Sequence, residues 1–155
     1  MRERDSAVRK GKTFSMEPIR INLYSDTQSQ PTPEMRLAMA HAEMGDEQHR
    51  LDPSVNRLCE EVAELLGKED AVFLPSGTMC NQIALAIHCT PGDEIIADRS
   101  AHIINFEAGG PASLARSMVY PLEGHNGIFG PDDVQDAIRS GSLHAPRSRL
   151  GVIEQ

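Results

Sequence analysis

Ser76-Gly77-Thr78 is the segment of this chain whose residue types most directly suggest chemistry. Ala71-Val72-Phe73-Leu74 before it reads as a short buried strand, and Met79 to Ile87 after it as a helix. A strand that stops at a turn of two hydroxyls and a glycine, then restarts as a helix, collects free backbone N–H groups and the positive end of the helix dipole. With the hydroxyl donors, that is a cradle for a phosphate. No Gly-Lys-Ser/Thr follows, so the turn is not a Walker loop. No G-x-G-x-x-G is present, so it is not a dinucleotide fingerprint. A small cofactor carrying one phosphate would suit it. The same turn also serves as an ordinary strand–helix connection.

His102 directly follows a strand expected over residues 94–97, which puts it on the same sheet edge as the turn. A histidine there can stack on a flat ring or move protons, or it can cap a helix or face water. His144 precedes the last expected strand and reads either as a surface-loop residue or as one turned toward the site. Ser25-Asp26-Thr27 lies in a polar stretch and reads locally as a turn or cap. His41, His49, His88, Cys59, Cys80 and Cys89 have no recurrent ligand spacing, so no metal site is expected. No Ser-His-Asp set or nucleophile elbow is visible.

The elements that must position these residues follow from start and stop signals. Thr32-Pro33-Glu34 opens a helix with an apolar stripe of Met35, Ala38, Met39 and Ala42, ended by Gly45. Asp52-Pro53 opens another, in which Val55, Leu58, Val62, Leu65 and Leu66 keep helical spacing up to Gly67, with Glu60, Glu61 and Glu64 on the wet face. Next come a strand over 71–74, a helix over 79–88, a strand over 94–97 and a short helix near 101–108. A strand over 117–121, a helix begun by Pro131 and a strand over 149–154 complete the order. Alternating strands and helices predict an α/β fold: a mostly parallel sheet with helices on both faces.

The length, 155 residues, is that of one domain able to bury most of its apolar surface. A net charge of −8 without any Lys/Arg run argues against nucleic acid as a partner. No stretch is apolar enough for a membrane span. Three cysteines without C-x-x-C spacing suggest reduced thiols and a cytoplasmic location. Residues 1–18 mix basic and acidic side chains with no hydrophobic signal core, and are expected to form a disordered leader. The apolar run Gly151-Val152-Ile153 reaches almost to Gln155, where a parallel sheet would begin a catalytic loop. Residues 19–155 are therefore expected to be part of a larger cofactor-binding domain.

From about Ile21 to Gln155 the chain resembles the L-threonine aldolases, pyridoxal-phosphate enzymes of the aspartate-aminotransferase fold grouped with the β-eliminating lyases. The resemblance rests on ordered blocks. These include Ser25-Asp26-Thr27, Pro31-Thr32-Pro33-Glu34-Met35, Asp52-Pro53-Ser54-Val55-Asn56, Pro75-Ser76-Gly77-Thr78 with Asn81-Gln82, Ala101-His102 with Phe106-Glu107-Ala108-Gly109-Gly110, and His144 with Pro146-Arg147. It implies that Ser76, Gly77 and Thr78 hold the phosphate of pyridoxal 5'-phosphate and that His102 stacks on its ring near the substrate hydroxyl. It further implies that His144 is a second active-site histidine and that Ser25, with Asp26 beside it, lies near the substrate carboxylate. The implied reaction is retro-aldol cleavage of threonine-like β-hydroxy-α-amino acids to glycine and an aldehyde, in a homodimer or homotetramer. The family's Schiff-base lysine falls beyond residue 155 in this pattern, and Lys10, Lys12 and Lys68 do not match it. The chain by itself is accordingly expected to be inactive. Two other readings remain: a β-eliminating lyase acting on another amino acid, and a non-catalytic binding module that keeps the phosphate cradle.

Overall fold

The computed structural model describes residues 21–154; the leader expected over residues 1–18 and the terminal Gln155 lie outside the described residues. The chain divides into two units, residues 1–57 and 58–155, each considered by itself.

In the first unit, helix α1 spans Pro33–His41, started by Thr32, whose Oγ1 accepts from the Met35 N–H at 3.2 Å, and by Pro33 at the first helical position. It ends before Gly45. The glycine has another role, because a Cβ there would lie 2.0 Å from the Leu51 carbonyl oxygen. Asp52 closes this loop: its carboxylate accepts from the N–H of Gly45 at 3.0 Å and of Val55 at 2.9 Å. The second of these bonds caps the start of helix α2, Pro53–Leu66. The expected stripe on α1 exists as a spacing but not as a core, since no residue of α1 is buried.

The second unit is built on a parallel sheet in the order β2-β1-β3, with β1 Glu94–Asp98 between β2 Met118–Leu122 and β3 Ser148–Val152. Residues alternate across β1. Ile95 and Ala97 face a core made with Leu85 and Cys89 from the α3 segment (α3 spans Gly77–His88), Ala101, Ile103 and Ala115. Ile96 faces the opposite way, into a core with Leu122 and with Ala137 of α6, Pro131–Ala137. Helices on both faces of a parallel sheet are thus observed, as expected. The β1–β3 register slips between Glu94 and Ile95: Glu94 is opposite Ser148, but Ile95 is opposite Leu150. Arg149 is the extra residue, and its Nε donates to the His88 carbonyl at the end of α3 over 2.8 Å.

Two expectations need correction. Residues 71–74 form no strand, and Val72 and Phe73 are exposed. The β-branched and aromatic composition is there, but among the described residues no strand lies alongside to complete a ladder, and a strand without a partner has nothing to stabilise it. The single short helix near 101–108 is two, α4 His102–Asn105 and α5 Gly110–Ser113. Ala108 and Gly109 break it with φ values of 52° and 72°. Many large apolar side chains among the described residues are also uncovered, Leu23, Met35, Met44, Leu65, Ile87 and Leu143 among them.

Candidate cofactor cradle and active site

Ser76 caps α3, and its Oγ accepts from the Met79 N–H at 3.1 Å. The first backbone bond of the helix runs from Cys80 N–H to the Ser76 carbonyl. The N–H groups of Gly77 and Thr78 precede it and point out of the helix end, as the first donors of any helix do. Nothing lies within 4 Å of where a Cβ on Gly77 would be. The Ser76 hydroxyl proton and the Thr78 hydroxyl add donors beside this open space. The donor set and the room fit a phosphate dianion at the positive end of a helix dipole.

His102 begins α4, four residues past the carboxyl end of β1. Asp98 at that strand end ties the intervening turn: its Oδ1 accepts from the Ser100 N–H at 2.8 Å and its Oδ2 from the Gly124 N–H at 3.0 Å. The bonds from Ser100, hydroxyl first and then N–H, hold the Asp98 carboxyl below its ordinary range. Behind His102 sits Glu107, whose side chain is fully buried while the imidazole is about half exposed. Glu107 Oε1 lies 2.8 Å from His102 Nδ1 and accepts from Asn81 Nδ2 at 2.6 Å; its Oε2 accepts from Gln82 Nε2. Burial pushes the Glu107 carboxyl up. The bonds from Asn81, Gln82 and His102 outweigh this and hold it below the usual carboxylate range. Asn81 and Gln82 lie one helical turn beyond Thr78 on α3. The cradle and the imidazole are therefore joined through one buried carboxylate. Phe106 flanks the imidazole, with ring centroids 5.5 Å apart and planes tilted by 43°.

Gly110 lets this arrangement close, because a Cβ on it would fall within 2.4–2.5 Å of the Gln82 amide atoms. Gln82 Oε1 is buried there without a partner. Glu107, Asn81, Gln82 and Gly110 were in the sequence blocks quoted above, but nothing in residue type assigned them a task. The signal lay in the spacing: an acid five residues after His102, followed by Gly-Gly.

The other candidate residues are elsewhere. His144 lies in the connection entering the amino end of β3, its N–H donating to Ser142 Oγ at 3.1 Å. In a parallel sheet that is the opposite edge from His102, so the structure does not bring the two histidines together. Ser25 and Asp26 are in the first unit. Ser25 caps the 3-10 turn Asp26–Gln28, accepting from the Thr27 N–H at 3.2 Å, and so fills the cap role its local sequence suggests. Among the described residues no group of three or more His, Cys, Asp or Glu side chains is placed to hold a metal ion. No helix among them is long and apolar enough to cross a membrane.

The chain belongs to the beta-eliminating lyase family, whose model matches residues 22–155. Among curated proteins it is 41% identical over 135 residues to a low specificity L-threonine aldolase of Escherichia coli, covering 86% of this chain and 40% of that one. It is 39% identical over 140 residues to low-specificity L-threonine aldolase 1 of Arabidopsis thaliana, covering 86% of this chain and 38% of the relative. An uncharacterized protein of Caenorhabditis elegans is 43% identical over 135 residues, covering 86% of this chain and 33% of its own length. The chain thus spans between a third and two fifths of the length of these relatives.

Proposed function

We propose that this chain supplies the phosphate cradle and ring-stacking histidine of a pyridoxal-phosphate enzyme that cleaves threonine-like β-hydroxy-α-amino acids to glycine and an aldehyde. The observation that carries this reading is the linkage of the Ser76-Gly77-Thr78 helix start to His102 through buried Glu107, in a chain of the beta-eliminating lyase family. The names of its bacterial and plant relatives support the choice of reaction.

Ser76, Gly77 and Thr78 would hold the cofactor phosphate, and His102 would lie on the ring face. When bound, pyridoxal phosphate withdraws electrons from the substrate α-carbon, which lets the Cα–Cβ bond break. The residues of this chain would handle the rest: His102 would take the proton from the β-hydroxyl. Ser25 and Asp26 keep the role the resemblance implies, beside the substrate carboxylate, and His144 that of a second active-site histidine. A homodimer or homotetramer is the proposed assembly of the full-length enzyme. A cytoplasmic location agrees with Cys59, Cys80 and Cys89 all being free thiols.

The test is to supply the full-length protein with pyridoxal phosphate and L-threonine and to measure glycine and acetaldehyde. Equal amounts of the two support the reading. Release of ammonia from another amino acid, without aldehyde, would favour an eliminating lyase. Cofactor binding with no turnover of any amino acid would favour a binding module.

A further inference from the structure

We propose that Glu107 is the positioning residue of His102, holding the imidazole by Nδ1 so that Nε2 is the proton-accepting nitrogen. This rests on the reading that His102 works at the substrate hydroxyl. An ionised carboxylate can only accept hydrogen bonds. A neutral imidazole that meets it with Nδ1, 2.8 Å from Oε1, must carry its proton on that nitrogen. The lone pair of the neutral ring is then on Nε2.

The carboxylate is itself fixed. Asn81 donates to Oε1 and Gln82 to Oε2, and both come from α3, the helix that opens the phosphate cradle. The close approach of Gly110 confines the Gln82 amide. Gln82 Oε1 has no partner, so the Nε2 bond to Glu107 alone sets which way that amide is turned. Phe106 bounds the imidazole on another side. The acidic groups at His102 are Glu107 on its ring and Glu154, after β3, on its backbone N–H; α3 brings only the neutral amides. No cation competes with His102 for Glu107 in these contacts.

The proton step follows. The substrate O–H bond breaks, its electron pair stays on oxygen, and the proton goes to Nε2. The ring becomes an imidazolium with both nitrogens protonated. Its positive charge then lies against the Glu107 carboxylate, and the Nδ1 proton does not move. Glu107 touches neither substrate nor cofactor and acts only through His102.

The isosteric variant Glu107→Gln can be accommodated. Gln82 can turn its amide so that the unpartnered Oε1 accepts from the new side-chain NH2, leaving the new Oε1 to face Asn81 and His102. What is lost is the negative charge. A purely structural brace between α3 and the α4–α5 turn would predict something different from a positioning residue, and a double-mutant cycle with His102→Phe separates them.

The experiment uses the full-length protein. Histidine 15N spectra of the cofactor-free form should show His102 as the Nδ1–H tautomer; an Nε2–H tautomer would overturn the proposal and needs no variant to be seen. In kinetics, Glu107→Gln should lower kcat by about tenfold or more with little change in KM, part of the roughly hundredfold or more that proton transfer contributes. In a His102→Phe background the same substitution should have almost no further effect on kcat. An equal loss in both backgrounds would make Glu107 a structural brace and overturn the proposal. The tautomer is read without cofactor or substrate, so a protein that does not cleave threonine would overturn the proposed function while leaving the positioning of His102 measurable.

Discussion

The backbone N–H of His102 donates to Glu154 Oε1 over 2.6 Å, although the two are 52 residues apart in sequence. Ala101, at the cap position of α4, offers no side-chain acceptor, so an acid just past the end of β3 does the capping instead. The end of one strand thereby fixes the start of the helix after its neighbour. Glu154→Ala should lower stability by about 1 kcal/mol, the usual cost of losing a cap, and Glu154→Gln by less, since an acceptor oxygen remains. Denaturant midpoints of the three proteins measure this; identical midpoints would mean that the bond contributes nothing.

The cradle can be blocked without removing a donor. Because the space above Gly77 is open, Gly77→Val should leave unfolding of the cofactor-free protein nearly unchanged while filling the volume a phosphate needs. Thr78→Ala removes one hydroxyl bond to a charged partner, worth about 1.5–3 kcal/mol, so pyridoxal phosphate affinity should fall roughly tenfold or more. Fluorescence titration with pyridoxal phosphate reads both; unaltered affinity in both variants would place the phosphate elsewhere.

Gly110→Ala should cost about 1–3 kcal/mol, as forced overpacking does, because Gln82 must give way and release Glu107. Gln82→Ala in the same chain should recover part of that loss by removing the clash. If urea unfolding shows simple additivity of the two substitutions, Gly110 and Gln82 are not in the contact described.

Acid should weaken the amino-end rim of the sheet. Asp93 accepts from Arg147 Nε at 3.0 Å and from its second nitrogen at 2.9 Å, and also from the Thr90 N–H at 2.7 Å. The Arg147 guanidinium first, and then the Thr90 N–H, hold the Asp93 carboxyl well below its ordinary value. A depressed folded-state pKa means the contribution is complete above the unfolded-state pKa of about 4. It is lost as the pH falls from there toward the depressed value. Asp93→Asn should therefore flatten the fall in stability below about pH 4. A variant whose acid-unfolding curve keeps the parent slope would assign that slope to other carboxylates.

Sequence made much of this arrangement legible because its signals were local. Thr32 and Ser76 act as caps through their own side chains, and β1 and β2 announce themselves as short apolar runs. The turn after β1 placed His102 at the correct sheet edge. What stayed hidden depends on partners distant in the chain. Residues 71–74 have strand composition, but composition does not supply a neighbouring strand. Gly45 looked like a helix stop, whereas its real constraint is the Leu51 carbonyl. Glu107 is the clearest case. Its residue type assigns it no task, and only the fold shows it buried beneath two amides from α3 and the imidazole of His102.

The slipped register between β1 and β3 decides which face of the last strand meets the core under α3. With Arg149 as the extra residue, Leu150 and Val152 stand beside Ile95 and Ala97 under α3. A ladder counted on from Glu94 and Ser148 without the slip would place Arg149 beside Ile95. Leu150 would come beside Ile96 and leave its core on the α3 side, because a shift of one residue exchanges the two faces of a strand. Replacing Arg149 would cost only its bond to the His88 carbonyl. Deleting it would cost the same bond and close the bulge, with Leu150 still beside Ile95.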